Sequence, residues 1–194
     1  LSDNSQNREW VNVSLDDVCI IQNGQIDPTI SPYRDMIHIA PDDIESETGR
    51  ILEQNTAAAD GISSGNYEFT EGAILYSKIR PNLRKVAFPR FRGVCSADVY
   101  PIYPKPNLLP EVLFHILLSE NFTDYAVAHS VRSAIPKLNR QAMLKYRFKL
   151  PPRNEQDQLL EVLRTISLST ESVKRHVEKS KELKRSLLSS LIRI

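Results

Sequence analysis

The chain has 194 residues, with 25 Lys and Arg against 24 Asp and Glu, 41% hydrophobic residues, 12 Pro and 6 Gly. That is enough to bury a core and too evenly apolar for a disordered chain, and no apolar run approaches the ~18–20 residues of a membrane span. Two cysteines, Cys19 and Cys95, exclude a disulfide scaffold and give no metal-ligand spacing, so a reduced, cytoplasmic protein with no membrane association is expected.

Residues 1–8 read as a polar tail. Ser14 with Asp17 three residues on marks a helix start, which predicts a short turn over Leu15 to Val18. Cys19-Ile20-Ile21 reads as a strand closed by the turn signal Asn23-Gly24. Met36 to Ile39, Ala73 to Tyr76 and Val94 to Tyr100 are strand-like, being rich in β-branched and aromatic residues. Pro110 opens a predicted helix through Ser119, with Val112, Leu113, Ile116 and Leu117 on one face. A short helix is predicted over Leu138 to Leu144, then a strand from Tyr146 to Leu150. Short strands with few helices imply an α+β domain over residues 9–150.

The rest, residues 151–194, is different. Pro151-Pro152 stops the strand, because proline supplies no ladder N–H. Asn154 can cap a helix, and neither Pro nor Gly follows it. A continuous helix to Ile194 would extend about 60 Å. Its apolar residues fall on a seven-residue repeat: Leu159, Ile166, Val173, Leu187 and Ile194 at one position, Leu163, Val177 and Leu191 at the other. Thr170, Ser180 and Lys184 interrupt this seam, which makes an imperfect coiled coil. Pairing with another helix is expected, against the alternative of an amphipathic helix lying on its own domain.

The near-zero net charge conceals a segregated distribution. Nine acids lie between Asp35 and Glu71, against Arg50 alone. From Lys78 to Arg92 the residues Lys78, Arg80, Arg84, Lys85, Arg90 and Arg92 stand without an acid. A second acid-free stretch, Tyr125 to Asn154, holds Arg132, Lys137, Arg140, Lys145, Arg147, Lys149 and Arg153. Two such stretches could meet on one face and bind phosphates, or form a solvated face balanced by the acidic segment.

Catalytic signatures are weak. The four histidines are widely spaced, and the chain contains no Gly-x-Gly and no nucleophile-elbow pattern. Glu182-Leu183-Lys184 has a nuclease-like spacing but sits within the charged helix, where surface charge explains it. Leu150-Pro151-Pro152-Arg153 is only superficially similar to an amino-methyltransferase loop, since both flanking residues differ.

Five segments together carry a family resemblance. They are Glu9-Trp10 with Val13 to Val18 and Asn23-Gly24; Glu71 to Lys78; Gly93 to Asp98; Pro136 to Asn139; and Leu150-Pro151-Pro152-Arg153-Asn154-Glu155-Gln156. In this order the chain resembles the DNA-specificity subunit of type I restriction–modification enzymes from Trp10 onward. Ala73 stands where the family usually has Asp, so no role of that carboxylate transfers. The resemblance implies a target recognition domain (9–150) followed by a long spacer helix (151–194), without catalytic residues or cofactor of its own. A full member has two of each, so this chain looks like a half-subunit or one half of a longer protein.

The partners implied are double-stranded DNA, methyltransferase and restriction subunits, and a second copy joined through Leu159, Leu163, Ile166, Val173, Val177, Leu187 and Leu191. Two-fold symmetry would make the target a bipartite inverted repeat. The candidate DNA-binding residues are Tyr76, Ser77, Lys78, Arg80, Asn82, Arg84, Lys85, Arg132, Ser133 and Lys137, with Arg80, Arg84 and Arg132 as candidates for guanine contact. The alternatives are a helical interaction scaffold that does not read DNA, and the recognition fragment of a fused methyltransferase or nuclease.

Overall fold

The computed structural model describes residues 9–131 and 134–191. The chain divides into two compact units, residues 1–153 and 154–194. In the first, β1 (Val11–Ser14) pairs antiparallel with β9 (Arg147–Leu150), Ser14 opposite Arg147 and Val11 opposite Leu150. Between them run α1 (Leu15–Val18), β2 (Cys19–Ile21), β3 (His38–Ile39), β4 (Tyr67–Phe69), β5 (Ile74–Ser77), β6 (Val86–Ala87), β7 (Gly93–Cys95), β8 (Val99–Pro104), α2 (Pro110–Leu118), α3 (Glu120–Ala128) and α4 (Arg140–Leu144). This is a mixed α+β unit. Four strands form an antiparallel sheet in the order β2-β8-β5-β6, and three form a second sheet in the order β3-β7-β4. Only β3 and β7 run parallel among the named pairs.

The strand patterns show where the core sits. Every residue of β5 is buried, so this strand is covered on both faces. Because successive side chains point to opposite faces, Leu75 joins a buried cluster with Ile39, Ile44, Phe69, Ala73, Ala87, Cys95 and Val99, drawn from both sheets. Tyr76 points the other way and meets Phe122 of α3 edge to face, with ring centroids 5.4 Å apart. Phe122 in turn packs on Tyr146 at 5.0 Å, just before β9. Gly93 opens β7 where nothing larger fits: a Cβ there would lie 2.6 Å from the Ile37 carbonyl oxygen and 2.7 Å from the Phe69 ring.

The local expectations hold where capping chemistry sets them. The Ser14 hydroxyl accepts from the Asp17 N–H at 3.4 Å while the Asp17 carboxylate accepts from the Ser14 N–H at 2.7 Å, a reciprocal cap on α1. Asn139 caps α4 by accepting from the Ala142 N–H at 2.8 Å, so that helix starts after the predicted Leu138. The strand predicted over Val94 to Tyr100 is two strands, β7 and β8, separated by a turn in which the Val99 N–H donates to the Ser96 carbonyl at 2.9 Å.

The described part of the second unit is one helix. α5 (Arg153–Leu191) runs for 39 residues, about 58 Å at the α-helical rise. Ile166, Val173, Val177, Leu187 and Leu191 are all exposed on it, between 46% and 70%, Leu159 is exposed, and Leu163 is half-buried. The seam therefore lies open in the single chain. Thr170, one of its polar interruptions, is accommodated because its hydroxyl donates back to the Ile166 carbonyl at 2.9 Å. Ile194 lies outside the described residues. No described helix is long and apolar enough to cross a membrane.

Candidate nucleic-acid interface

The two basic stretches meet. Just beyond β5 the chain runs alongside the segment that precedes α4. The Leu138 N–H donates to the Lys78 carbonyl and the Arg80 N–H to the Pro136 carbonyl, both at 2.8 Å. Ile79 and Val131 each form a β-bridge with Lys137. The Lys137 ammonium reaches Asp98 at 2.9 Å, and Lys78 reaches the same carboxylate at 3.7 Å. Asp98 thus ties both stretches to the turn between β7 and β8.

The segment Arg80-Pro81-Asn82-Leu83-Arg84 is a tight knuckle. Its centre is a single 3₁₀ turn, Pro81–Leu83, and both flanking arginines adopt left-handed backbone angles, φ 49° for Arg80 and 48° for Arg84. Such angles crowd the Cβ of an L-residue and cost roughly 1–2 kcal/mol each. Pro81 is buried while Arg80 and Asn82 are exposed at the tip. Arg80 makes no side-chain hydrogen bond or ion pair with a described residue. Strain of this kind, held in place by surrounding contacts, is a mark of functional sites.

The other basic side chains of the first stretch are largely occupied. Arg84 donates to Glu47 at 2.6 Å and lies 3.9 Å from Glu120. Lys85 donates to the Pro41 carbonyl at 2.7 Å and pairs with Asp42 at 3.5 Å. Arg90 pairs with Glu111, and Arg92 with Glu68. Lys78 is nearly buried: its ammonium donates to the Ala97 carbonyl and sits 5.1 Å from the centre of the Tyr100 ring. Burial, and then the nearby Lys137 charge, push the Lys78 ammonium below its usual range.

These positions revise the expected surface. Tyr76 and Ser77 were expected on it, yet Tyr76 is 1% exposed and Ser77 2%, with the Ser77 hydroxyl turned inward to the Ile79 carbonyl at 3.1 Å. The cause is the alternation of β5, which is covered on both faces. Lys78, Arg84 and Lys85 act as ties between loops, while Arg80, Asn82 and Lys137 stand at the surface. Arg132 and Ser133 lie outside the described residues.

Two features had no sequence signal. The left-handed backbone of Arg80 and Arg84 was not legible, although Pro81-Asn82 marks a turn. A buried histidine, His38, bridges two loops: its Nδ1 lies 3.0 Å from the Asp60 carboxylate. With the Asn66 amide oriented to donate to the Ser64 carbonyl at 2.9 Å, the Asn66 oxygen lies 3.2 Å from His38 Nε2. Both cysteines are buried and free. Desolvation pushes the Cys19 thiol up to about 12 and the Cys95 thiol higher still, which leaves them inert near neutral pH. Among the described residues no group of three or more His, Cys, Asp or Glu could hold a metal ion.

Residues 7–184 match the family model of the type I restriction modification DNA specificity domain, and the chain belongs to that family. It is 34% identical over 160 residues to the type I restriction enzyme EcoDI specificity subunit of Escherichia coli, a match spanning 82% of this chain and 36% of that one.

Its fold matches a chain from the complex assembly and conformational transition of the type I R-M system, with a TM-score of 0.79, 20% identity and coverage of 95% of this chain and 48% of the other. The HsdS subunit of Thermoanaerobacter tengcongensis matches with a TM-score of 0.75, again at 20% identity, over 93% and 48%. The chain spans about half the length of these structures and about a third of the curated relative.

Proposed function

We propose that this chain reads one half of a bipartite DNA site and docks the methyltransferase and restriction subunits that carry out the chemistry. The observation that supports this most is the junction of the two basic stretches, where the Arg80 N–H meets the Pro136 carbonyl while Arg80, Asn82 and Lys137 stay exposed. Arg80 suits a bidentate contact with guanine or a phosphate, Asn82 a base edge, and Lys137 a phosphate. Lys78, Arg84 and Lys85 contribute by fixing the loops that carry these groups. Arg132 and Ser133 belong to the same proposed surface by sequence, in the segment that leads to Lys137.

The open seam of α5 supports the second half of the reading. Two copies paired through Leu159, Leu163, Ile166, Val173, Val177, Leu187 and Leu191 would present two identical readers, and their symmetry requires an inverted repeat with a spacer. Few cations of the knuckle are free, so the chain alone should hold DNA weakly. Binding of a labelled duplex is expected to tighten at least tenfold when purified methyltransferase subunit is added at fixed salt. Equal affinity with and without that subunit would overturn the docking part of the proposal.

A further inference from the structure

We propose a second phosphate-contacting surface, formed by Lys145, Arg147 and Lys149 at the end of α4 and along β9. This inference rests on the reading of the chain as a DNA-binding domain and adds a surface which that reading did not include. β9 is Arg-Phe-Lys-Leu, with exposed and covered residues alternating. Its register with β1 sets Asn12 opposite Lys149 and Ser14 opposite Arg147. These four residues share one face of the two-stranded sheet. Phe148 and Leu150 point the other way, opposite the buried Val13 and the partly exposed Val11 respectively.

Most cations of the first unit have an acidic or carbonyl partner. Lys145, Arg147 and Lys149 are exposed, and none makes a side-chain hydrogen bond or ion pair with a described residue. The nearby carboxylates are Asp16 and Asp17. Asp17 is engaged by the Ser14 N–H and hydroxyl, both at 2.7 Å, and these bonds, with Arg147 and Lys105 as smaller influences, hold its carboxyl below the usual range. Asp16 borders an open groove of about 460 Å³ together with Ser14, Gln141, Leu144, Lys145 and Arg147.

The occupant that fits is a DNA backbone. Residues two apart on a strand stand ~6.6–6.8 Å from each other, a distance comparable to that between neighbouring phosphates on one DNA strand. Lys and Arg with Ser, Asn and Gln beside them are the groups that contact phosphates. A protein partner would instead favour aromatic anchors and few lysines at its centre, and the large apolar side chains of this sheet face away.

The test compares the full chain with the K145Q/R147Q/K149Q variant and with Lys149→Gln alone, using a short fluorescein-labelled duplex of random sequence over a range of salt. The triple variant is expected to bind at least tenfold more weakly. Its log–log salt slope should be shallower by about 2.7, and that of the single variant by about 0.9, since each lost phosphate contact removes about 0.9. All three positions are exposed, so thermal midpoints should stay near that of the wild type.

Unchanged affinity and slope in the triple variant, while Arg80→Ala still loses affinity, would overturn this surface and leave the DNA reading intact. Unchanged DNA binding with weaker capture of purified methyltransferase subunit would assign the face to protein and overturn the proposal as well. A wild-type chain that binds no duplex at any salt overturns the DNA reading and this surface with it.

Discussion

Arg80→Ala is expected to weaken duplex binding roughly five- to 150-fold, the range given by about 1–3 kcal/mol for one good arginine contact. Its stability should be unchanged, because alanine meets the same left-handed strain at φ 49° and Arg80 has no side-chain partner to lose. Arg80→Gly separates the two properties. It should lose the same affinity while gaining about 0.5–1 kcal/mol, the strain relieved less the extra backbone entropy that glycine gives up on folding. Duplex titration read beside thermal unfolding checks both arms. Arg80→Gly that keeps full affinity would remove the arginine from the interface. Arg80→Gly that is less stable than Arg80→Ala would remove strain from the explanation. Arg84 makes the contrast, since its guanidinium is held by Glu47 and Glu120 and its loss should act first on the knuckle.

Aspartate at Ile166, Val173 and Leu187 together is expected to convert the proposed dimer to monomer. Each of these side chains is more than half exposed in the single chain, so the area they would bury in a paired state is large. Burying an aliphatic side chain of this size is worth about 1.5–3 kcal/mol. Three lost together exceed roughly 4 kcal/mol, which is at least a thousandfold in the association constant. An isolated helix gains little stability from propensity alone and depends on packing of its apolar face, so helical circular dichroism should fall in parallel. Sedimentation equilibrium checks this. A mass equal to that of the wild type in the triple aspartate variant would reject the seam as the contact.

The parts of the fold that sequence made legible are those set by local chemistry. The Ser14–Asp17 cap, the strand Cys19–Ile21, the helix opened by Pro110 and the long helix after Pro151-Pro152 each follow from near neighbours in the chain. What escaped depends on distant partners. Tyr67–Phe69 and Val86–Ala87 are too short to show a period, and they are strands because Cys95 and Leu75 lie opposite them. α3 went unread because Ser119 both ends α2 and caps the next helix, accepting from the Phe122 N–H at 3.2 Å. The candidate site divides in the same way. The acid-free stretches marked two segments that meet in the fold, yet which cations remain free depends on Glu47, Asp42 and Glu68 returning from elsewhere in the chain. Arg147 and Lys149 were legible as alternate residues of a strand, but their exposure rests on pairing with β1 at the far end of the domain.

The claim that this chain is the reader of a DNA half-site is tested most directly by selecting bound duplexes from a random-sequence pool, with the full chain and its purified methyltransferase subunit. Enrichment is expected of one bipartite site whose two halves are inverted copies separated by a spacer of fixed length, with enrichment lost in Arg80→Ala. A pool that remains random after repeated rounds, or that converges on the same site without this chain present, would contradict it.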